Sequence, residues 1–210
     1  MIEEILRKKY RPYEEVELLP RRMVTWNSER VIFEELIRSI KPRRIIEVGS
    51  WLGGSAIRMA EICKRDGINA QIICVDTWLG GYDQIMSELP QDDLCCQAGY
   101  PGLYRQFVSN VIHAGFEKVI VPFPQVSIYA ARFFARLNAK AELIYIDGSH
   151  ERIDVLSDMG SYWPLTSGVM FGDDIAMPGV GPAVARFCSI AGVKAFSDGV
   201  HWKISRTPPA

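Results

Sequence analysis

The sequence lacks the patterns that mark disulfide-bonded, zinc-binding and membrane-spanning proteins. Its five cysteines are odd in number and include no CxxC pair, so neither a disulfide framework nor a zinc site is predicted. No run approaches the ~20 apolar residues that a membrane-spanning helix requires. The first ten residues, MIEEILRKKY, contain acids and no apolar core, unlike a secretory signal. We therefore expect a cytoplasmic protein with reduced cysteines.

The sequence also has no excess of positive or negative charge. The 24 Lys and Arg residues nearly balance the 25 Asp and Glu residues, giving a net charge of −1, and the basic residues are dispersed. Nucleic acids and anionic membranes bind clustered positive charge, so neither is expected as a partner. With 48% hydrophobic residues in 210 positions, the chain can bury one core, and a single main domain is predicted.

Phosphate-binding glycine motifs are absent too. The turn EVGSWLGGS (47–55) has GxxxG spacing instead of the GxGxxG that seats a pyrophosphate on a helix N-terminus, and no Walker A lysine is present. A dinucleotide-dependent oxidoreductase is therefore the least favoured enzyme class.

What the sequence does contain is an alternation of buried strands and amphipathic helices. Apolar runs predict strands at 43–50, 70–78, 118–123, 141–148 and 167–174. Helical spacing predicts helices at 55–67, 104–115, 126–138, 151–163 and 182–192. A hairpin around Asp198-Gly199 closes the chain. The pattern predicts an α/β fold with a mostly parallel sheet, an antiparallel C-terminal hairpin and helices on both faces.

Acidic side chains lie where the predicted strands end. They are Glu47, Asp76, Asp147, Asp173 and Asp174. In an open parallel sheet these ends share one rim, where ligands bind. The two adjacent acids in MFGDD repel each other unless positive charge lies nearby, which indicates a cation site. His150 follows Asp147 by three residues and is a candidate base.

The first turn and the end of the second strand indicate the ligand. Gly49, Gly53 and Gly54 allow the backbone to approach a bound molecule closely. Asp76 occupies the position of an acid that accepts hydrogen bonds from ribose hydroxyls. A nucleoside ligand without a pyrophosphate fits both features, and S-adenosylmethionine (SAM) is the candidate.

Four segments together resemble class I SAM-dependent methyltransferases: EVGSWLGGS, VDTW, LIYIDGSH and MFGDD. The most similar branch is the metal-dependent O-methyltransferases, including the macrocin and novobiocin sugar enzymes and, more distantly, catechol O-methyltransferase. Cephalosporin hydroxylase-like proteins share the pattern. The resemblance covers roughly residues 40–205. It implies a Rossmann-like methyltransferase sandwich with a seven-stranded sheet over 41–210, preceded by an N-terminal helical segment over 1–40.

The resemblance also assigns residues. The cofactor-binding set that it implies is Glu47, Gly49, Ser50, Gly53, Ser55, Asp76, Thr77, Trp78, Gln125, Ser127 and Asp147. The set that it implies for the metal ion is Asp147, Asp173 and Asp174. The Asp-Asp pair, where catechol O-methyltransferase-like members have Asp-Asn, slightly favours a sugar or polyol acceptor.

The chemistry expected from these residues is metal-assisted methyl transfer. Oxygen ligands suit Mg²⁺, with Mn²⁺ or Ca²⁺ as alternatives. The ion would lower the pKa of an acceptor hydroxyl, and His150, together with Asp147, would serve catalysis as the hydroxyl attacks the SAM methyl group. The expected acceptor is a small hydroxylated molecule.

Several alternatives remain open at this point. Asp147 and Asp173 could instead cap the helices that follow them, and His150 could be a solvated first-turn residue. Residues before about 40 are expected to form helices that cover the rim or make contacts in a homo-oligomer. The loop 79–102 and the segment 25–30 are expected to cover the acceptor. An iron-dependent hydroxylase-like enzyme and a non-catalytic SAM-binding protein are the other functions considered.

Overall fold

A computed structural model of the chain describes residues 1–24, 27–90 and 93–206. Its helices are α1 (Ile2–Tyr10), α2 (Val31–Ile40), α3 (Gly54–Arg65), α4 (Tyr82–Met86), α5 (Leu103–Ala114), α6 (Ser127–Arg136), α7 (Arg152–Tyr162) and α8 (Val180–Ala191), with a 3₁₀ turn at Trp163–Leu165. Its strands are β1 (Arg44–Val48), β2 (Gln71–Asp76), β3 (Ile120–Pro124), β4 (Ala141–Ile146), β5 (Thr166–Gly172), β6 (Phe196–Ser197) and β7 (Trp202–Ser205).

The strands form one seven-stranded sheet in the order β3-β2-β1-β4-β5-β7-β6. Strands β1 to β5 pair in parallel, whereas β7 runs antiparallel to β5 and β6. The predicted fold class is confirmed. Val48 at the end of β1 lies opposite Val75 of β2 and Ile146 of β4. Because the strand order reverses between β1 and β4, their carboxyl ends form the crevice in which such sheets bind ligands.

Helices cover both faces of the sheet. Alternate residues of the central strands point to opposite faces, as in β2, where Ile73 and Val75 join one core and Ile72 and Cys74 join the other. The first core packs α1, α6, α7 and α8 against the sheet, and the second packs α2, α3 and α5. Burial on both faces explains why the parallel strands are almost continuously apolar.

The two N-terminal helices lie on different parts of the sheet, and the predicted covering of the rim by this segment stays a prediction. Helix α1 lies where the strands begin: Arg7 donates hydrogen bonds to the backbone carbonyl of Glu117 and to the Gln71 side chain. Glu3 forms an ion pair with Arg44 at the start of β1. Helix α2 instead packs against α3 on a face of the sheet. A homo-oligomer contact through this segment stays a prediction.

The backbone segments that follow β1 and β4 lie in close contact. Gly49 has a φ of +83°, and a Cβ atom built on it would lie 2.1 Å from the carbonyl oxygen of Asp147. The amide of Asp147 in turn donates to the carbonyl of Val48 at 2.8 Å. The glycine therefore allows the turn after β1 to lie directly against Asp147.

Replacing Gly49 is expected to disrupt this contact and destabilise the folded chain. Gly49→Ala should lower the free energy of unfolding by about 3 kcal/mol or more, because the added methyl group overlaps backbone atoms that cannot rotate away. Gly67→Ala is the matched control: its φ is +66°, but no atom lies within 4 Å of the added Cβ. The control should cost only about 1 kcal/mol. Urea unfolding measures both, and equal losses would contradict the steric argument.

Candidate active site

A cavity of about 860 Å³ opens at the carboxyl ends of the parallel strands. Residues that follow each of the five strands line it. Of the predicted site residues, those on its wall are Gly49, Ser50, Ser55, Asp76, Thr77, Gln125, Ser127, Asp147, His150, Asp173 and Asp174. The structure therefore brings most of the predicted site together.

Asp76 joins the turn after β1 to the end of β2. One of its carboxylate oxygens accepts hydrogen bonds from the amides of Ser50 and Trp51, both at 2.8 Å. The other accepts from the amide of Trp78 at 2.7 Å. These bonds fix the shape of the turn and hold the carboxylate at the cavity wall. Its binding of a ribose stays a prediction.

Glu47 lies beneath the turn and not on the cavity wall. Its fully buried carboxylate accepts hydrogen bonds from the hydroxyls of Ser50 and Ser55 and from the thiol of Cys74. Burial raises the pKa of the Glu47 carboxyl. The geometry makes Glu47 a support for the turn, in contrast to the direct cofactor contact that the sequence predicts.

Gly53 and Trp78 also lie behind the wall. Trp78 is 2% exposed, and its indole N–H donates to the carbonyl of Trp51 at 2.7 Å. The ring of Phe107 packs 3.1 Å from the position that a Cβ on Gly53 would take. Both residues shape the turn from below, because the ring of Trp78 and the missing side chain of Gly53 face α5.

Asp147 and Asp174 lie close to His150. Ligand atoms of these three side chains lie within 4.8 Å of one another. The hydroxyl of Tyr145 donates to Asp147 Oδ2 at 3.0 Å. Burial, followed by the negative charge of Asp173, raises the pKa of Asp147 well above its ordinary value.

The imidazole of His150 contacts carboxylates on both sides. Nε2 lies 3.1 Å from Asp174 Oδ2, and Nδ1 lies 2.8 Å from Asp83 Oδ2. The contact with Asp174 raises the pKa of His150 to about 9, with Asp83 adding to the effect. The ring is therefore positively charged at neutral pH in this arrangement, and its charge offsets the repulsion among the acids.

Asp173 lies beside this cluster and has partners of its own. It is 4% exposed and accepts hydrogen bonds from the Asn27 side chain at 3.1 Å and from the amide of Asp174 at 2.7 Å. Nε2 of the fully buried His201 lies 3.6 Å away. Asp174 has a left-handed φ of 55°, so the chain turns sharply at the second acid. The metal set implied by the resemblance, Asp147, Asp173 and Asp174, stays a prediction; the group that lies within 4.8 Å in the described ranges is Asp147, His150 and Asp174.

The helix-capping alternative is wrong for both acids. Helix α7 begins at Arg152 with Glu151 as its N-cap residue, and α8 begins at Val180 with Gly179 as its N-cap residue. Asp147 and Asp173 therefore precede the helices by several residues.

The loop after β2 forms part of the wall. Helix α4 lies in it, and Gly80, Gly81, Asp83 and Gln84 line the cavity. This agrees with the expected covering role of residues 79–102, although Gln91 and Asp92 lie outside the described residues. Of the segment 25–30, Asn27 reaches the cavity, and Thr25 and Trp26 lie outside the described residues.

The polar residues of the site that were not predicted include Asn27, Asp83, Asp158 and His201. Asp158 had a usable signal, because it shares the buried helical spacing of Val155, Met159 and Tyr162. The other three lie in segments without a periodic pattern.

Asp158 is an acid buried in the cavity wall. It is 6% exposed, and its Oδ1 accepts a hydrogen bond from the hydroxyl of Ser127 at 2.5 Å. Burial raises the pKa of Asp158 to about 6.

Comparison with known proteins identifies the family. Residues 46–175 match the family described as a methyltransferase domain, and since this is more than half of the chain, the chain belongs to that family. The chain thus has the family and the class I fold of SAM-dependent methyltransferases. No curated protein matches it in sequence.

Three solved structures illustrate the similarity of the fold. Calicheamicin methyltransferase CalS11 is 14% identical, with 84% of this chain and 77% of that chain covered at a TM-score of 0.61. An O-methyltransferase from Bacillus cereus in complex with S-adenosylhomocysteine (SAH) is 13% identical, with 98% of this chain and 97% of that chain covered at a TM-score of 0.59. The O-methyltransferase TomG from Streptomyces achromogenes, in complex with SAM, is 14% identical, with 96% of this chain and 88% of that chain covered at a TM-score of 0.58.

None of the helices in the described ranges combines the length and the apolar character needed to cross a membrane.

The burial of Asp158 can be tested through the pH dependence of folding stability. The folded state holds the Asp158 proton more tightly than the unfolded state, so stability falls as pH rises from about 4 to about 6. Asp158→Asn removes this ionisation and keeps an oxygen for Ser127. The free energy of unfolding of the variant should exceed that of the wild type by an amount that grows across this range and reaches about 2–3 kcal/mol at pH 7. Urea unfolding from pH 4 to 8 measures the difference.

The control is Asp154→Asn, which removes an exposed acid from the same helix and should show no comparable gain. A constant difference between wild type and Asp158→Asn across the pH range would contradict the buried-acid interpretation.

Proposed function

We propose that this protein transfers the methyl group of SAM to a hydroxyl of a small molecule, with the help of a divalent cation. The observation that carries the proposal is the cavity at the strand ends, because the predicted cofactor residues and the Asp147–His150–Asp174 cluster line the same space. Its volume lies in the upper range for ligand cavities, which suits a cofactor together with an acceptor.

The proposed cofactor position follows the rim. Gly49, Ser50 and Ser55 would contact the methionine portion of SAM, and Asp76 and Thr77 the ribose. The adenine would lie beside Gln125 and Ser127, at the end farthest from the acid cluster. In this order the sulfonium methyl group would lie on the Asp147 side of the cavity, where an acceptor hydroxyl would have to meet it.

The residues present fit a divalent cation. Asp147, His150 and Asp174 offer two carboxylates and one imidazole within a few ångströms. The buried Nε2 of His150 has no well-aligned hydrogen bond in the described ranges, as expected for an atom that faces a ligand position. A divalent cation bound there, Mg²⁺ or Mn²⁺, would act as a Lewis acid on the acceptor hydroxyl and would replace His150 as the positive charge beside Asp174. The proposed ligands are Asp147 and Asp174, with Asp173 supporting Asp174 from behind.

The protein's own residues would then handle the proton. Nε2 of His150 points into the cluster, so it is the nitrogen that would accept the proton of an acceptor hydroxyl. This step needs the neutral ring, with the remaining N–H on Nδ1. Asp147 would orient the reacting groups, since Tyr145 and the backbone at Gly49 hold it in place.

The charge of the wall favours a neutral or cationic acceptor. Seven aspartates line the cavity: Asp76, Asp83, Asp147, Asp154, Asp158, Asp173 and Asp174. No Lys or Arg of the described ranges lines it, and the residues outside those ranges include neither type. Phosphate recognition relies on such basic side chains. We therefore infer a sugar, polyol or natural-product hydroxyl without a phosphate, unlike the TDP-rhamnose named for CalS11.

The alternatives gain no support from the site. A hydroxylase-like iron centre uses two histidines and one carboxylate, whereas the cluster of the described residues has one histidine and two carboxylates. A non-catalytic SAM-binding protein would bind the cofactor without transferring its methyl group.

Thermal unfolding tests the cofactor and the cation separately. SAM or SAH should raise the unfolding temperature of the wild type, because a ligand at 100 times its Kd adds about 2.7 kcal/mol to folded-state stability. Mg²⁺ or Mn²⁺ should add a separate rise that Asp174→Ala abolishes. The control Glu35→Ala removes an exposed acid of α2 and should keep both rises. No rise with millimolar SAM or SAH would reject the methyltransferase activity, and a cation effect that survives in Asp174→Ala would reject the cation site.

A matched pair of sugars tests the acceptor class. With SAH and Mg²⁺ present, glucose 6-phosphate should raise the unfolding temperature no more than glucose or glucosamine at the same concentration, since the acidic wall repels the phosphate. A larger rise with the phosphate ester than with its parent sugar would reject the inference.

A further inference from the structure

Asp158 is an acid of the cavity wall to which the proposed reaction gives no role. Its side chain is buried, and its Oδ1 accepts the hydroxyl hydrogen of Ser127. No hydrogen bond to its Oδ2 is formed by the residues of the described ranges. Buried carboxylate oxygens normally have hydrogen-bond partners. Because Asp158 lines the cavity, a bound molecule can supply the donor that Oδ2 lacks.

The surroundings of Asp158 belong to the adenine end of the proposed cofactor site. Its partner Ser127 begins α6, and Gln125 lies two residues earlier, directly after β3. The amide of Gln125 donates to the carbonyl of Asp76 at 3.0 Å, so this segment adjoins the acid proposed for the ribose. Asp158 reaches the same segment from α7. It therefore lies beside the place expected for a base attached to that ribose.

The space beside Oδ2 of Asp158 is free of side-chain atoms from Gly148. A Cβ atom on this glycine would lie 3.7 Å from Oδ2, and the glycine itself lines the cavity. Without a side chain at position 148, a flat ring can approach the carboxylate closely.

The hydrogen-bonding groups at this end match the edge of adenine. An ionised carboxylate only accepts hydrogen bonds. The backbone N–H groups of Ser127 and Ile128, in the first turn of α6, have no intrahelical acceptor, and both residues line the cavity. Adenine presents a 6-amino donor next to the N1 acceptor. Hypoxanthine reverses both groups, with a 6-oxo acceptor next to an N1–H donor.

We propose that Asp158 selects adenine as the base of the cofactor, with Oδ2 accepting a hydrogen bond from the 6-amino group. This inference rests on the proposed function, in which the adenine lies beside Gln125 and Ser127. The hydroxyl of Ser127 holds Oδ1 and thereby fixes the direction of Oδ2.

A packing role alone would predict a different result. The bond between Asp158 and Ser127 joins α7 to α6 whether or not a ligand is bound. If this were the only role of Asp158, replacing it would weaken the binding of different nucleosides by the same factor. The ratio of two affinities therefore separates base recognition from packing.

The test compares SAH with S-inosylhomocysteine, which carries hypoxanthine in place of adenine. Calorimetric titration at pH 8 gives both dissociation constants, with Asp158 ionised because its pKa is about 6. The wild type should bind SAH about 100-fold more tightly, since the 6-oxo group would leave Oδ2 without a donor and repel it.

The variant Asp158→Asn should lose this preference. Its amide oxygen can keep the bond from Ser127, which places the NH₂ group where Oδ2 was. That group donates to a 6-oxo oxygen and opposes a 6-amino group, so the affinity ratio should fall to about 1 or below. The control Glu151→Gln removes one negative charge at the start of the same helix, outside the cavity wall, and should keep the wild-type ratio.

Two outcomes would overturn the proposal: equal affinity of the wild type for the two nucleosides, or a wild-type preference that Asp158→Asn retains. The first needs no variant, so it does not depend on how the substitution folds. Failure of the proposed function would look different, because the wild type would then bind neither nucleoside.

Discussion

The backbone contact between Gly49 and Asp147 is the constraint on which the site depends. β1 and β4 are neighbours in the sheet although a hundred residues separate them, and the strand order reverses between them. Because Gly49 has no Cβ, the turn that follows β1 lies directly against the carbonyl of Asp147. The turn after β1 and the acidic cluster therefore share one wall of the cavity, which is the arrangement that the proposed methyl transfer between two bound molecules requires.

Two histidines lie beside the acids of this rim. The imidazole of His150 lies between Asp174 and Asp83. Nε2 of the buried His201 lies 3.6 Å from Asp173. Adjacent acids in the sequence thus have different histidine neighbours in the structure. Carboxylates that repel each other are costly to bury, and the positive charge of His150 lowers that cost.

Side-chain direction explains which predicted residues reached the cavity. Asp76, Asp147 and Asp174 follow strands whose apolar runs marked their ends, so their place on the rim could be predicted. Glu47 lies inside β1, and strand alternation turns it to the same face as Ile45, beneath the turn. The partners of Asp173 could not be predicted from its pattern, because Asn27 and His201 come from distant parts of the chain.

The sequence by itself determined the sheet, its direction and the edge at which the acids collect, because hydrophobic periodicity and the direction of parallel strands are properties of the chain. Only the tertiary structure decided the partners of those acids. Asn27, Asp83 and His201 come from three segments without periodic pattern, and each meets a partner on a different element of the fold. Hydrogen bonds and charge pairs depend on positions to within about an ångström, and packing of the whole molecule fixes those positions.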